Sequence, residues 1–207
     1  MGDLLLARHG ETEWSRSGRH TGHTDLPLTP HGEEQARSLA PLLAGRAFAL
    51  VLASPLVRAR RTAELAGLTG AKPDPDLREW DYGAYEGVTT ATIRAGRPDW
   101  DLWTDGVPPG PELPGESPAQ VGARADRVLA RVARALEEGD VMLVAHGHLL
   151  RVLTARRLGL SPAQGRLFRL ETGTLSRLSL EHGRPVIAEW NAAAPTGWPA
   201  PVRGPAG

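Results

Sequence analysis

Short apolar runs that break off directly into helix-starting signals constrain this chain more than any other feature of it. Residues 3–7, 49–53 and 141–145 are such runs, each of strand length. Thr29-Pro30 and Ser54-Pro55 each set an N-cap hydroxyl before a proline at the first helical position. Ala36, Leu39, Ala40 and Leu43 mark one helical face, which stops at Gly45. Ser117, with Pro118 next and Gln120 three residues on, opens the clearest helix as a capping box. Val121, Ala125, Val128, Leu129, Val132 and Leu136 form its apolar stripe, and Gly139 ends it. A further helix is expected over 147–158. Toward the end, 167–170, 175–180 and 186–190 read as short strands, with His182-Gly183 as the turn before the last. Strands separated by helices argue for an α/β fold, a three-layer α/β/α sandwich around a mostly parallel sheet.

Two segments depart from this alternation. Residues 88–116 hold Trp100, Trp103 and a Pro/Gly-rich run, and are expected to form a short excursion over the site end of the sheet. Residues 194–207 are Pro-, Gly- and Ala-rich with little to bury, so they read as a disordered tail after one domain over 1–193. A chain of 207 residues suits a single domain and can hide about 70% of its extended surface. It has no cysteine, which excludes disulfides, thiolate metal sites and a cysteine nucleophile. The 24 basic residues balance 24 acidic ones, without the basic surplus a nucleic-acid binder carries. Apolar runs fall far short of the ~20 residues that span a bilayer. The first of them stops at Arg8 and His9 with no signal-peptide anatomy. The expectation is a cytoplasmic protein with neither nucleic-acid nor membrane partners. Of the 24 basic residues only Lys72 is a lysine. Arginine holds planar oxyanions with paired hydrogen bonds, although the bias equally fits genomic base composition.

In open α/β sheets the ligand site lies beyond the carboxyl ends of the strands. That rule selects Arg8-His9-Gly10, the segment from Ser54 to Arg61, and His146-Gly147-His148. Taken alone, His9-Gly10 reads as an inert, hydrogen-bonded histidine at a strand end. A second His-Gly at another strand-to-helix junction is hard to explain by packing. Helix N-termini offer free N–H groups and partial positive charge, so both junctions suit an anion. Arg58 adds a third cationic junction. Arg8, Arg58 and two histidines converging on one concave end describe a phosphate pocket.

These residues carry a family resemblance. Leu6-Ala7-Arg8-His9-Gly10-Glu11-Thr12 resembles the signature of the histidine phosphatase superfamily, also called phosphoglycerate mutase-like. The likeness continues through Thr21–Asp25, Leu28–Gly32, Ser54–Ala59, Glu79–Gly87 and Ala145–Arg151, in the family's order. The resemblance implies that His9 is the nucleophile that becomes a phosphohistidine. It implies that Arg8, Arg58 and His146 bind phosphoryl oxygens and stabilise the charge that develops in transfer. Glu79, which alone would read as a solvated loop carboxylate, matches the family's proton donor. Substrate contacts are expected from Arg8, Ser15, Thr21, Gly22, Arg58, Gly147 and His148. No cofactor or metal is implied, and the partner is a small phosphorylated metabolite. The family is often dimeric, which leaves a homodimer open. The family usually has Asn where this chain has Ser15, whose hydroxyl is a shorter donor. The wording from Glu13 to Gly18 resembles the branch of fungal sedoheptulose bisphosphatases and actinobacterial acid phosphatases, within which Ser15 is expected.

Hydrolase is favoured over cofactor-dependent mutase. In the mutases the excursion carries a Trp followed by paired arginines, whereas here Trp103 precedes Thr104-Asp105-Gly106. The short excursion also leaves less lid to exclude water. A non-catalytic phosphate-binding protein is the third reading, against which Arg8, His9, Arg58, Glu79 and His146 are all present. A metallohydrolase built on histidines is disfavoured, since His20 and His23 sit in a Gly/Thr-rich loop and no H-E-x-x-H occurs. His20, His23 and His31 are expected as loop or rim residues. Trp14 is expected to wall the pocket, and Trp100 and Trp103 to pack the excursion onto the core.

Overall fold

The structure, a computed structural model, describes residues 1–193, so the expected tail at 194–207 lies outside the described residues. In chain order the elements are β1 (Leu4–Arg8), α1 (Glu13–Arg16), α2 (Pro30–Leu43), β2 (Phe48–Ala53), α3 (Val57–Leu65) and β3 (Lys72–Pro73). They continue with α4 (Thr90–Gly96), α5 (Leu102–Asp105), α6 (Pro118–Glu138), β4 (Asp140–Ala145), α7 (Gly147–Arg157), β5 (Leu175–Glu181) and β6 (Arg184–Ala192). The sheet runs β3-β2-β4-β1-β5-β6. β1, β2, β3 and β4 pair in parallel, while β5 and β6 are antiparallel.

Side chains alternate across the sheet, and that alternation builds two cores. Leu4, Leu6, Val141 and Leu143 point to one face with Val121, Val128 and Val132 of α6 and Leu149 and Leu153 of α7. Leu5, Ala7, Met142 and Val144 point to the other with Leu39 of α2 and Ala59 and Ala63 of α3. Helices on both faces of a central sheet make the expected three layers. The Ser117 capping box is present, with Gln120 N donating to Ser117 Oγ and the Gln120 side chain reaching back. His182 and Gly183 both take positive φ, 50° and 77°, in the hairpin joining β5 to β6.

Residues 167–170 are not the expected strand. The free edge of β1 is taken by β5, and the Leu170 carbonyl instead accepts from Arg8 Nη1 at 2.5 Å. β3 carried no periodicity at two residues, and its Pro73 is tolerated because it lies at the sheet edge. The excursion holds α4 and α5, and both its tryptophans are buried as expected. Trp100 Nε1 donates to Gly106 O at 2.9 Å, and Trp103 meets Trp80 edge-on with centroids 5.8 Å apart.

Candidate active site

β1 and β4 are parallel neighbours in the register Arg8 to Ala145, which sets the two His-Gly junctions side by side. His9 N donates to Ala145 O at 3.0 Å, and the His9 and His146 rings lie 5.0 Å apart. β2 flanks β4 with Ala53 against Val144, so Ser54 N reaches Val144 O at 2.9 Å. Three strand ends therefore meet. Ser54 does not cap a helix as its Ser-Pro pair suggested. α3 begins at Val57 with Leu56 as N-cap, too far along for the Ser54 hydroxyl to serve its first amides. That hydroxyl faces His146 Nε2 at 2.7 Å, and Asp25 Oδ1 accepts from Val57 N. Gly10 and Gly32 let this end close up, because a Cβ on Gly10 would stand 2.1 Å from Gly32 O.

The hydrogen bonds assign each imidazole its tautomer. His9 Nδ1 lies 2.7 Å from Gly10 O, and a carbonyl can only accept, so the proton sits on Nδ1 and Nε2 is bare. Burial, with Arg58 and Arg8 nearby, holds the His9 pKa well below the ordinary histidine range. His146 Nδ1 accepts from Arg58 Nε at 3.2 Å; a guanidinium has no acceptor, so the His146 proton is on Nε2, toward Ser54. Burial, Arg58 and His9 likewise hold His146 well below its usual range.

A cavity of about 210 Å³ opens over these strand ends. Of the expected residues, Arg8, His9, Ser15, Thr21, Glu79, Gly147 and His148 line it. Arg58 and His146 are fully buried behind it. The Arg58 fork is committed to backbone, with Nη1 donating to Thr24 O and Nη2 to Thr21 O and Gly22 O at 2.9–3.1 Å. Gly22 also stands back, and its N–H donates to the Glu86 carboxylate. The Ser15 hydroxyl is engaged with Thr12 in the capping box of α1. Arg8 Nε is buried without a partner.

Glu79 also lines the cavity. Its Oε1 accepts from Trp80 N and Leu149 N, and its Oε2 from His148 N, at 2.9–3.0 Å. The first turn of α7 thus grips the carboxylate. His148 Nδ1 lies 2.5 Å from Tyr82 Oη. Burial raises the Tyr82 pKa well above its usual value, so the phenol keeps its proton.

Arg19, His20, Tyr82, Thr90 and Arg151 also line the cavity, and none was anticipated as a contact. Arg151 was findable, since it follows Gly147 by four residues and shares its helical face. Its guanidinium lies 4.5 Å from the Trp103 ring centroid and donates to Gly165 O and Arg166 O. Tyr82 and Arg19 carry no spacing signal. His20, expected at the rim, is buried against Tyr82, with centroids 4.7 Å apart; His23 and His31 are exposed. Trp14 lies over Gly87 and does not line the cavity. Among the described residues no group of three or more His, Cys, Asp or Glu is placed to hold a metal ion. No described helix is long and apolar enough to cross a membrane.

Comparison with known proteins follows the same lines. A family model described as histidine phosphatase superfamily (branch 1) matches residues 4–193. An acid phosphatase of Mycobacterium tuberculosis is 42% identical over 96% of this chain and 95% of its own. Sedoheptulose 1,7-bisphosphatase of Saccharomyces cerevisiae is 37% identical over 75% of this chain and 67% of its own. A Serratia proteamaculans relative bearing a phosphoglycerate mutase name is 33% identical over 92% and 90%. A solved structure of a Mycobacterium tuberculosis open reading frame product superposes with a TM-score of 0.88. It is 42% identical and covers 93% of this chain and 98% of its own.

Proposed function

This chain belongs to branch 1 of the histidine phosphatase superfamily, and from that premise we propose that it is a metal-independent phosphatase of small phosphomonoesters, sugar phosphates among them. The phosphatases among its relatives support a phosphoric monoester hydrolase. The observation that carries the mechanism is the His9 imidazole. Its Nδ1 proton is tied to Gly10 O, which leaves Nε2 bare, and the residue lines the same cavity as Arg8 and Glu79.

His9 Nε2 attacks phosphorus, and the ester P–O bond breaks with its electrons on the leaving oxygen. Glu79 enters the cycle as the carboxylic acid, its proton on Oε2, which accepts a single amide; it gives that proton to the leaving oxygen, and the alcohol departs. Glu79, now a carboxylate, takes a proton from water. The resulting hydroxide attacks the phosphohistidine, the P–N bond breaks, and phosphate leaves. Little covalent ingenuity is asked of the protein, because phosphoryl transfer needs in-line placement and charge neutralisation. Arg8, with its unpartnered Nε, supplies charge at the cavity wall. Arg58 acts from behind, depressing the His9 pKa and ordering His146. A direct Arg58 contact with phosphoryl oxygens requires its fork to leave the carbonyls of Thr21, Gly22 and Thr24. The likeness to proteins named as phosphoglycerate mutases supports mutase as the second reading, at lower identity.

The test is phosphate release from sugar phosphates, phosphoglycerates and an aryl phosphate in excess EDTA. Release should persist, and His9→Ala should lower it by a factor on the order of 10⁴ or more. Loss of release in EDTA would overturn metal independence. Isomerisation of 3-phosphoglycerate faster than any hydrolysis would make the chain a mutase, and neither activity would make it a binding protein.

A further inference from the structure

The geometry points to Arg124, on α6, as the residue that positions Glu79, acting through the backbone of the turn that carries it. Arg124 does not line the cavity, and its side chain is only 13% exposed. Its Nη1 donates to Asp76 O at 2.8 Å and Arg78 O at 2.9 Å, and its Nη2 to Glu79 O at 3.2 Å. Nε and Nη2 also pair with both carboxylate oxygens of Glu116 at 2.7 Å. Glu116 then holds the other side of the turn. Its Oε2 accepts from Asp81 N, its own N–H donates to Asp81 O, and its carbonyl accepts from Trp80 Nε1 at 2.8 Å.

One guanidinium and one carboxylate therefore grip the chain on both sides of Glu79. The amides of Trp80, His148 and Leu149 orient the Glu79 carboxylate. The Arg124–Glu116 pair sets where its Cα stands, and through it how far the carboxylate reaches toward a leaving oxygen. A misplacement of about 1 Å can cost roughly 10²-fold in rate. Lysine does not replace this residue, because an ammonium cannot serve three carbonyls and a carboxylate from one planar fork. The same pair ties the end of the excursion to the Glu79 turn.

This inference rests on Glu79 as the proton donor, and leaving-group dependence separates the two claims. A nitrophenolate leaves without a proton, whereas an alkoxide needs one. kcat/KM is read for p-nitrophenyl phosphate and for glycerol 2-phosphate, because it reports steps up to phosphohistidine formation. Arg124→Ala and Arg124→Lys should lower kcat/KM for the alkyl ester by about 10–100-fold while changing the aryl ester by less than about 3-fold. Glu79→Gln should show the same pattern more strongly, and Arg124→Ala should add little in the Glu79→Gln background. Equal losses on both esters, or no loss, in Arg124 variants overturn the positioning role while Glu79→Gln still shows the pattern. Absence of the pattern in Glu79→Gln overturns the reading of Glu79 itself. Arg124→Lys, which keeps charge and bulk, supplies the reading where Arg124→Ala fails to fold.

Discussion

At His9 two influences act on one imidazole. The Gly10 carbonyl holds the proton on Nδ1, and burial beside Arg58 and Arg8 disfavours a second proton. The nucleophilic form is the neutral ring, so lowering its pKa extends that form into acid. Activity governed by His9 should therefore not fall as pH drops through about 6.5, the ordinary histidine value. The acid limb of kcat/KM on an aryl phosphate should lie well below it. A limb centred near that ordinary value would show that His9 titrates as a solvated histidine and would contradict the buried arrangement.

The helix-start signals at Ser54 and Ser117 look alike in the chain and do different work in the elements. Ser117 caps α6, so Ser117→Ala should cost about 1 kcal/mol in urea unfolding, the usual worth of an N-cap side chain. Ser54 is fully buried on His146 Nε2. Ser54→Ala should cost about 1–3 kcal/mol, the penalty for a buried polar group left unpaired, and should lower kcat/KM as His146 loses its anchor. Unchanged activity in Ser54→Ala would show that His146 does not depend on it. The meeting of the β1 junction with α2 makes a third demand. Gly32→Ala would set a Cβ 2.1 Å from Glu11 O, a backbone atom that cannot swing aside. Such overpacking should cost about 1–3 kcal/mol; a denaturation midpoint equal to that of the unsubstituted protein would contradict it.

For the whole molecule, the histidines whose pKa values are lowered carry a stability penalty. His9, His146 and His148 have pKa values held well below the ordinary range by burial, and His20 is lowered by burial too. Between those values and about 6.5 the unfolded chain binds protons that the folded one refuses, so stability rises with pH there. Asp3 and Asp76, whose pKa values are also lowered, extend the loss into stronger acid. The urea midpoint should hold as pH is taken from 7.5 toward about 6.5 and then fall steadily down to about 5. A flat or rising midpoint over that interval would show that these histidines protonate without strain in the fold.

The strand-to-helix junctions were legible in the chain because they are local. A five-residue apolar run, a His-Gly step and a capping box are each written within a few positions, so β1, β4, α6, α7 and both His-Gly ends could be read directly. Their meeting on one end of a sheet followed from the rule for open α/β sheets. The partner of each side chain was settled only by tertiary structure. Ser54 finds His146 across 92 positions, and Arg58 reaches the same ring across 88. Tyr82 pairs with His148 across 66, and Arg124 grips the Glu79 carbonyl across 45. A hydroxyl, a guanidinium or a phenol satisfies any neighbour of suitable polarity. Which neighbour it meets depends on strand register and helix packing, and those are properties of the folded sheet rather than of any stretch of chain.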